Sequence, residues 1–150
     1  MQFQILIYVA LAVLLGAAIG FEREIEDKPA GLRTHMLVAG AAALLVALGD
    51  VIIQHFNVAL GSELVRSDPT RIIQAVVTGV SFLGAGTIIR HSFTRRVEGL
   101  TTAASILFAA AVGVCVALSQ LVLAVGVTAL VLVTLRGVGR AEKWLEQRRR

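Results

Sequence analysis

Residues Gly99–Leu135 read GLTTAASILFAAAVGVCVALSQLVLAVGVTALVLVTL, 37 consecutive positions without a charged side chain. Water offers no reason for such a run. A helix crosses a bilayer's hydrocarbon layer in roughly 20 residues, so this segment is too long for one span and just long enough for two. Ser119 and Gln120 are its most polar neighbours, which places the turn near Ser119–Leu121. Working outward, Met1–Phe21, Thr34–Gly49 and Ile72–Ile89 are also free of charge. The chain as a whole is 57% hydrophobic with a mean hydropathy of +0.82, well above a soluble domain's usual apolar share. The pattern predicts an all-α polytopic membrane helix bundle of five transmembrane helices. They fall at about 2–21, 34–56, 71–90, 99–118 and 121–138 within a transmembrane domain of residues 1–140, followed by a basic tail, 141–150. The first span lacks the basic start and small-residue cleavage pattern of a secretory signal and reads as a retained helix.

The basic residues orient the bundle. Arg23, Lys28 and Arg33 follow span one, and Arg90, Arg95 and Arg96 follow span three. Arg136, Arg140, Lys143, Arg148, Arg149 and Arg150 follow span five. Only Arg66 and Arg71 of the 14 Lys and Arg lie in the alternate loop. Lys and Arg stay on the cytoplasmic side, so the N-terminus is expected outside and the C-terminus inside. The same distribution accounts for the pI of about 10.2 without a nucleic-acid partner. Trp144 and Leu145 among the tail's charges suit a short helix on the anionic inner leaflet.

A shift of 68 residues lays Leu15-Gly-Ala17 on Leu83-Gly-Ala85, Gly31-Leu32 on Gly99-Leu100 and Thr34 on Thr102. This is either a parallel 2+2 duplication plus one helix, or the ease with which alanine-rich helices align. In the first case Glu22 lies opposite Arg90 and Asp27 opposite Arg95, and the two loops would attract. Span one is expected to run helically to about Glu26, with Arg23–Asp27 and Glu24–Lys28 as i,i+4 pairs. Pro29 ends it, Gly31 is free to take positive φ, and Thr34 is the expected N-cap of span two, with Thr101 or Thr102 serving span four. Charges at membrane depth mark function or a buried pair, whereas the bland reading of Glu22, Arg23 and Glu24 is a solvated face. Gly16-Ala-Ala-Ile-Gly20 is a GxxxG, and Gly79, Gly84 and Gly86 with Phe82 form a small-residue seam in span three. Both read as packing faces, with a pore lining as the sharper alternative. Asp50 lies about 24 Å along its helix from Thr34, an interfacial place rather than a ligand's. His35, His55 and His91 have no metal-ligand spacing, and Cys115 is alone. No metal site, cofactor or enzymatic motif is expected.

Three segments together resemble the MgtC/SapB family: Glu22-Arg-Glu24 with Lys28-Pro-Ala-Gly-Leu-Arg-Thr34, then Thr78-Gly-Val-Ser-Phe-Leu-Gly-Ala-Gly86, then Gly99-Leu-Thr-Thr-Ala-Ala104. The resemblance implies a bacterial inner-membrane protein linked to low-magnesium adaptation and to survival in host phagocytes. Its segments supply the candidate functional residues Glu22, Arg23, Glu24, Lys28, Pro29, Gly31, Arg33, Thr34, Gly79, Phe82, Gly84, Gly86, Gly99, Thr101 and Thr102, and Arg90 joins them as the residue the shift sets opposite Glu22. Larger members carry a soluble domain after the last helix, whereas this sequence ends at Arg150. Regulation of another membrane complex, ATP synthase being one kind of partner, is the leading expectation. A small-ion transporter or channel, for Mg²⁺ among others, and a structural homo-oligomer are the alternatives.

Overall fold

The computed structural model describes residues 2–60, 70–90 and 97–149, without the side chains of 56–60, 89–90, 140–147 and 149. Arg66, His91, Arg95 and Arg96 therefore lie outside the described residues, as does the side chain of Arg90. Five helices follow one another: α1 Gln2–Ile25, α2 Leu32–Leu60, α3 Thr70–Gly86, α4 Leu100–Ala117 and α5 Leu121–Arg149. Segments Gln2–Ile25, Leu32–His55, Leu100–Ala117 and Leu121–Gly139 are long and apolar enough to cross a membrane. α3 is apolar and has 17 residues, the short end of what a bilayer requires.

Contacts at the two ends show how the helices run. At one end Tyr8 of α1 meets Ser119 after α4, and Gly49 of α2 lies against Ile72 of α3. At the other, Gly20 of α1 lies against Leu32 of α2, and Gly84 of α3 against Ala103 of α4. Successive helices therefore alternate in direction, and α3 runs the length of the bundle despite being short. α4 sits at the centre, touching all four others.

The interior is made of small residues. Ala12, Ala39, Ala42, Ala43, Ala109 and Ala110 are buried. A Cβ on Gly16 would come 2.6 Å from the carbonyl oxygen of His35, and one on Gly20 2.8 Å from the Cα of Leu32. Lipid tails are as apolar as leucine, so helices in a bilayer gain by close van der Waals approach, which small residues permit. Apart from Ile19, Ile106 and His35, which are buried, most large side chains point the other way. Val122 is 91% exposed, Phe82 81%, Phe3 76% and Leu37 72%. In water that surface would cost about 25 cal/mol per Å²; in hydrocarbon it costs nothing.

The 68-residue shift has one counterpart in the packing. Gly16 packs on His35, and Gly84, 68 residues later, packs on Ala103, the position equivalent to His35.

Helix boundaries depart from expectation in three places. α3 stops at Gly86 rather than 90, because Thr87 turns the chain: its N–H and its hydroxyl both donate to the Gly84 carbonyl, at 3.0 and 2.8 Å. The β-branched residues that follow suit extended backbone, and Ile89–Arg90 pairs antiparallel with Val97–Glu98 in a two-residue ladder. α2 starts at Leu32, so Thr34 lies inside its first turn. α5 runs past 138 to Arg149, since the tail's Ala, Glu, Lys, Leu, Gln and Arg are strong helix formers.

Candidate functional site

The end of α1 is closed by backbone geometry that the composition conceals. Asp27 takes φ 50, Lys28 N–H donates to the Arg23 carbonyl at 3.0 Å and Asp27 N–H to the Glu24 carbonyl at 3.1 Å. These are the two bonds of a Schellman motif, with aspartate in the left-handed place that glycine usually fills. Ser119, φ 60, ends α4 in the same way, through Gln120 N–H to the Cys115 carbonyl at 2.8 Å. Among the described glycines only Gly99 takes positive φ, at 89°. Gly31 does not, and it is needed for a different reason: a Cβ there would fall on the Glu24 carboxylate.

That carboxylate is the cap of α2. Glu24 Oε2 accepts the Leu32 N–H at 2.9 Å, satisfying an orphan donor and placing negative charge at the positive end of the helix dipole. Glu24 thus serves α2 rather than Lys28, and it displaces Thr34 as the cap. Changing Glu24 to alanine is expected to lower stability by about 1 kcal/mol, read as a lower thermal midpoint in detergent; Thr34→Ala should leave the midpoint where it was.

Arg23 and Glu22 form the centre of the site. Arg23 Nε donates to Glu22 Oε2 at 2.6 Å and Nη2 to Oε1 at 2.9 Å, with side-chain exposures of only 5% and 4%. The expected solvated face is corrected for Glu22 and Arg23, though Glu24 is exposed, and the expected Arg23–Asp27 pair gives way to Arg23–Glu22. Burial explains the change, since a carboxylate taken from water needs a charge-assisted partner at once, and the bidentate fork supplies one. Both carboxylate oxygens of Glu22 accept from its own neighbour; the side chains of Arg90 and Arg95, which the duplication sets opposite Glu22 and Asp27, lie outside the described residues.

One turn into α2, His35 is fully buried. Its Nδ1 lies 2.8 Å from the Gly31 carbonyl and its Nε2 2.9 Å from Ser105 Oγ of α4, while the Ser105 hydroxyl also lies 2.8 Å from the Thr102 carbonyl. This link ties the capping loop to the central helix. Neither residue stood out in the sequence, where both read as neutral members of charge-free spans.

Around the pair opens a vestibule of about 1250 Å³, walled by the α1–α2 connection, the start of α4 and the Thr134–Gly139 stretch of α5. Lys28, Pro29, Gly99, Thr101 and Thr102 line it beside Glu22 and Arg23, together with Arg136, which sequence reasoning treated only as a topology signal. The remaining motif residues lie elsewhere. Arg33 is exposed and Thr34 half-buried on α2; Gly84 packs on Ala103, while Gly79 and Gly86 have nothing within reach of an added Cβ, and Phe82 is exposed beside them. The seam of span three is thus a packing face only at Gly84. Thr101 and Thr102 are inside the first turn of α4, whose cap position is Gly99 with no side-chain bond. A smaller cavity of about 400 Å³ opens at the opposite end, lined by Gln4, Tyr8, Asp50 and Ser119 among others. Asp50 is exposed and accepts a bond from Gln54 at 2.8 Å. Among the described residues no group of three His, Cys, Asp or Glu is placed to hold a metal ion.

The family model that describes the MgtC family matches residues 9–144. The chain belongs to the MgtC family. Its relatives include YhiD of Escherichia coli K12, provisionally named a magnesium transporter, 40% identical over 77% of this chain and 52% of its own length. Protein MgtC of Brucella abortus is 44% identical over 71% of this chain and 39% of its own, and protein SapB of Bacillus subtilis 37% identical over 73% and 45%. This MgtC-family chain spans about half the length of the curated relatives it matches. No solved structure matches it.

Proposed function

We propose that this MgtC-family chain is a non-enzymatic regulator of the bacterial inner membrane that acts on another membrane complex through its vestibule end. The placement of the polar groups carries the reading. The Glu22–Arg23 pair, the Glu24 cap, Lys28 and Arg136 gather at one end of the bundle. Between the two cavities α2 and α4 present Ala39, Ala42, Ala43, Ala109, Ala110 and Val112, all buried. A carrier usually holds its substrate near the bilayer midplane, and here the midplane is filled with alanine. The excess of Lys and Arg in the connections at the vestibule end supports a cytoplasmic location for it, with the N-terminus outside. The family's link to magnesium limitation and virulence then describes the conditions in which such regulation operates.

A second reading has two observations in its favour: cavities open at both ends of the bundle, and one relative's name invokes magnesium transport. One experiment separates the two. The purified chain in proteoliposomes, loaded with tracer Mg²⁺ or a monovalent cation, is expected to release it no faster than empty-membrane controls. Rapid flux that disappears in Glu22→Gln/Arg23→Gln would establish a transporter and overturn the regulatory reading.

A further inference from the structure

We infer that the vestibule is a binding site for a phosphate-type oxyanion, held by the free edge of Arg23, the Thr102 hydroxyl and the start of α4. The argument begins with a donor count. A guanidinium has five N–H donors, and Glu22 takes two of Arg23's. Three remain, on a side chain that is 95% buried and lines the cavity, without an acceptor among the described residues. Buried donors are almost always paired, and an orphaned buried group costs the full penalty of its lost hydration. Something with oxygens belongs there.

Thr102 repeats the pattern independently. It is 2% exposed and lines the same cavity. Its carbonyl is used by Ser105, but its hydroxyl has no partner among the described residues. A threonine inside a helix commonly returns its hydroxyl to a carbonyl one turn back, as Thr78, Thr128 and Thr134 do here. Thr102 does not.

The backbone adds a third set of donors. α4 begins at Leu100 with Gly99 as its cap and no side-chain acceptor, and the first i→i−4 bond is Ala103 to Gly99. The N–H groups of Leu100, Thr101 and Thr102, residues that line the cavity, thus have no intrahelical acceptors and stand at the positive end of the central helix. α2 offers the contrast, since its start is already closed by the Glu24 carboxylate. One helix start on this face carries its anion within the chain, and the other does not.

The unspent groups at the Arg23–Thr102 edge of the vestibule are donors, so a ligand there must be rich in acceptors, and a tetrahedral oxyanion offers three or four at once. Lys28 and Arg136 line the same space and favour negative charge. The wall also carries acidic residues: Glu22 and Arg23 neutralise each other, while Glu26, Asp27 and Glu98 are exposed, where water and salt screen their charge. Both free phosphate and the phosphate of an anionic lipid headgroup have the required chemistry. The site stands apart from the regulatory reading, and neither needs the other.

The test uses the purified chain in maltoside detergent and in nanodiscs. Equilibrium dialysis with labelled inorganic phosphate forms one arm. Native mass spectrometry after reconstitution in equal phosphatidylglycerol and phosphatidylcholine forms the other. Saturable phosphate uptake assigns a free anion; selective retention of phosphatidylglycerol assigns a headgroup. In whichever arm binds, Thr102→Val is expected to weaken occupancy about ten-fold without lowering the thermal midpoint, because the hydroxyl it removes supports nothing in the fold. Glu22→Gln/Arg23→Gln, checked for unchanged helicity and size, should abolish it. Absence of saturable binding in both arms, or binding that Thr102→Val leaves intact, would overturn the assignment.

Discussion

Replacing Arg23 with alanine is expected to destabilise the chain by about 3–5 kcal/mol, the cost of leaving a buried carboxylate without its partner. Glu22 is 3% exposed, and both of its oxygens are committed to the one guanidinium. No other described cation lies within ion-pair distance of it. The variant should accumulate poorly in membranes and melt well below the parent in detergent. The double change Glu22→Gln/Arg23→Gln should recover most of the loss. Glutamine keeps the shape of Glu22 and, though shorter than Arg23, offers an amide that can bond to it, and the penalty for burying two charges disappears. The pair of measurements separates a charge effect from a packing effect: if the loss came from missing side-chain volume, Arg23→Ala and Arg23→Gln would differ and the state of Glu22 would be irrelevant. Normal abundance of Arg23→Ala, with Glu22 in place, would mean that water reaches the carboxylate.

The five helices were legible because lipid imposes a coarse rule: a charge-free stretch of sufficient length has few other places to be. The turn between the last two helices was legible for the same reason, since Ser119 and Gln120 interrupt an otherwise continuous apolar run. What the vestibule holds was less accessible. Helical i,i+4 pairing is a rule for solvated surfaces, and it misassigned Arg23 because burial there rewards the nearest strong acceptor rather than the best-spaced one. The caps were misassigned for a related reason. Thr34, Thr101 and Thr102 have the right chemistry, yet α2 takes its cap from Glu24, eight residues before the first bonded N–H, and α4 has none from a side chain. A linear reading sees neighbours along the chain, while a loop that folds back selects neighbours in space. In the sequence His35 is weighed only as a metal ligand and Ser105 not at all, because a neutral polar residue in an apolar span leaves no mark on charge or periodicity. Their meaning appears only when two helices, 70 residues apart in sequence, are brought to 2.9 Å.

Glycine supplies the sharpest contrast between sequence and structure, and with it the second large effect. Gly113 drew no attention beside the glycines of span three, yet it lies where α4 crosses α2, and a Cβ there would fall on the carbonyl of Ala39 with Ala42 3.1 Å away. Valine at this position must push the central helix off its neighbour. Overpacking of this kind costs about 1–3 kcal/mol where side chains can yield, and the obstacle here is backbone, so the upper end or more is expected. Because α4 touches every other helix, the displacement should spread: lower yield, a broader melting transition and weakened His35–Ser105 contact. Gly79→Val makes the opposite prediction, since nothing lies within 4 Å of a Cβ at that position. The change should leave the thermal midpoint of the detergent-solubilised chain unaltered or raise it slightly, valine being a better helix residue than glycine. Should Gly79→Val instead lower the mass of the particle in multi-angle light scattering, the open face of α3 would be a contact between copies. In that case the glycines of span three serve assembly, while Gly16, Gly20 and Gly113 build the single bundle.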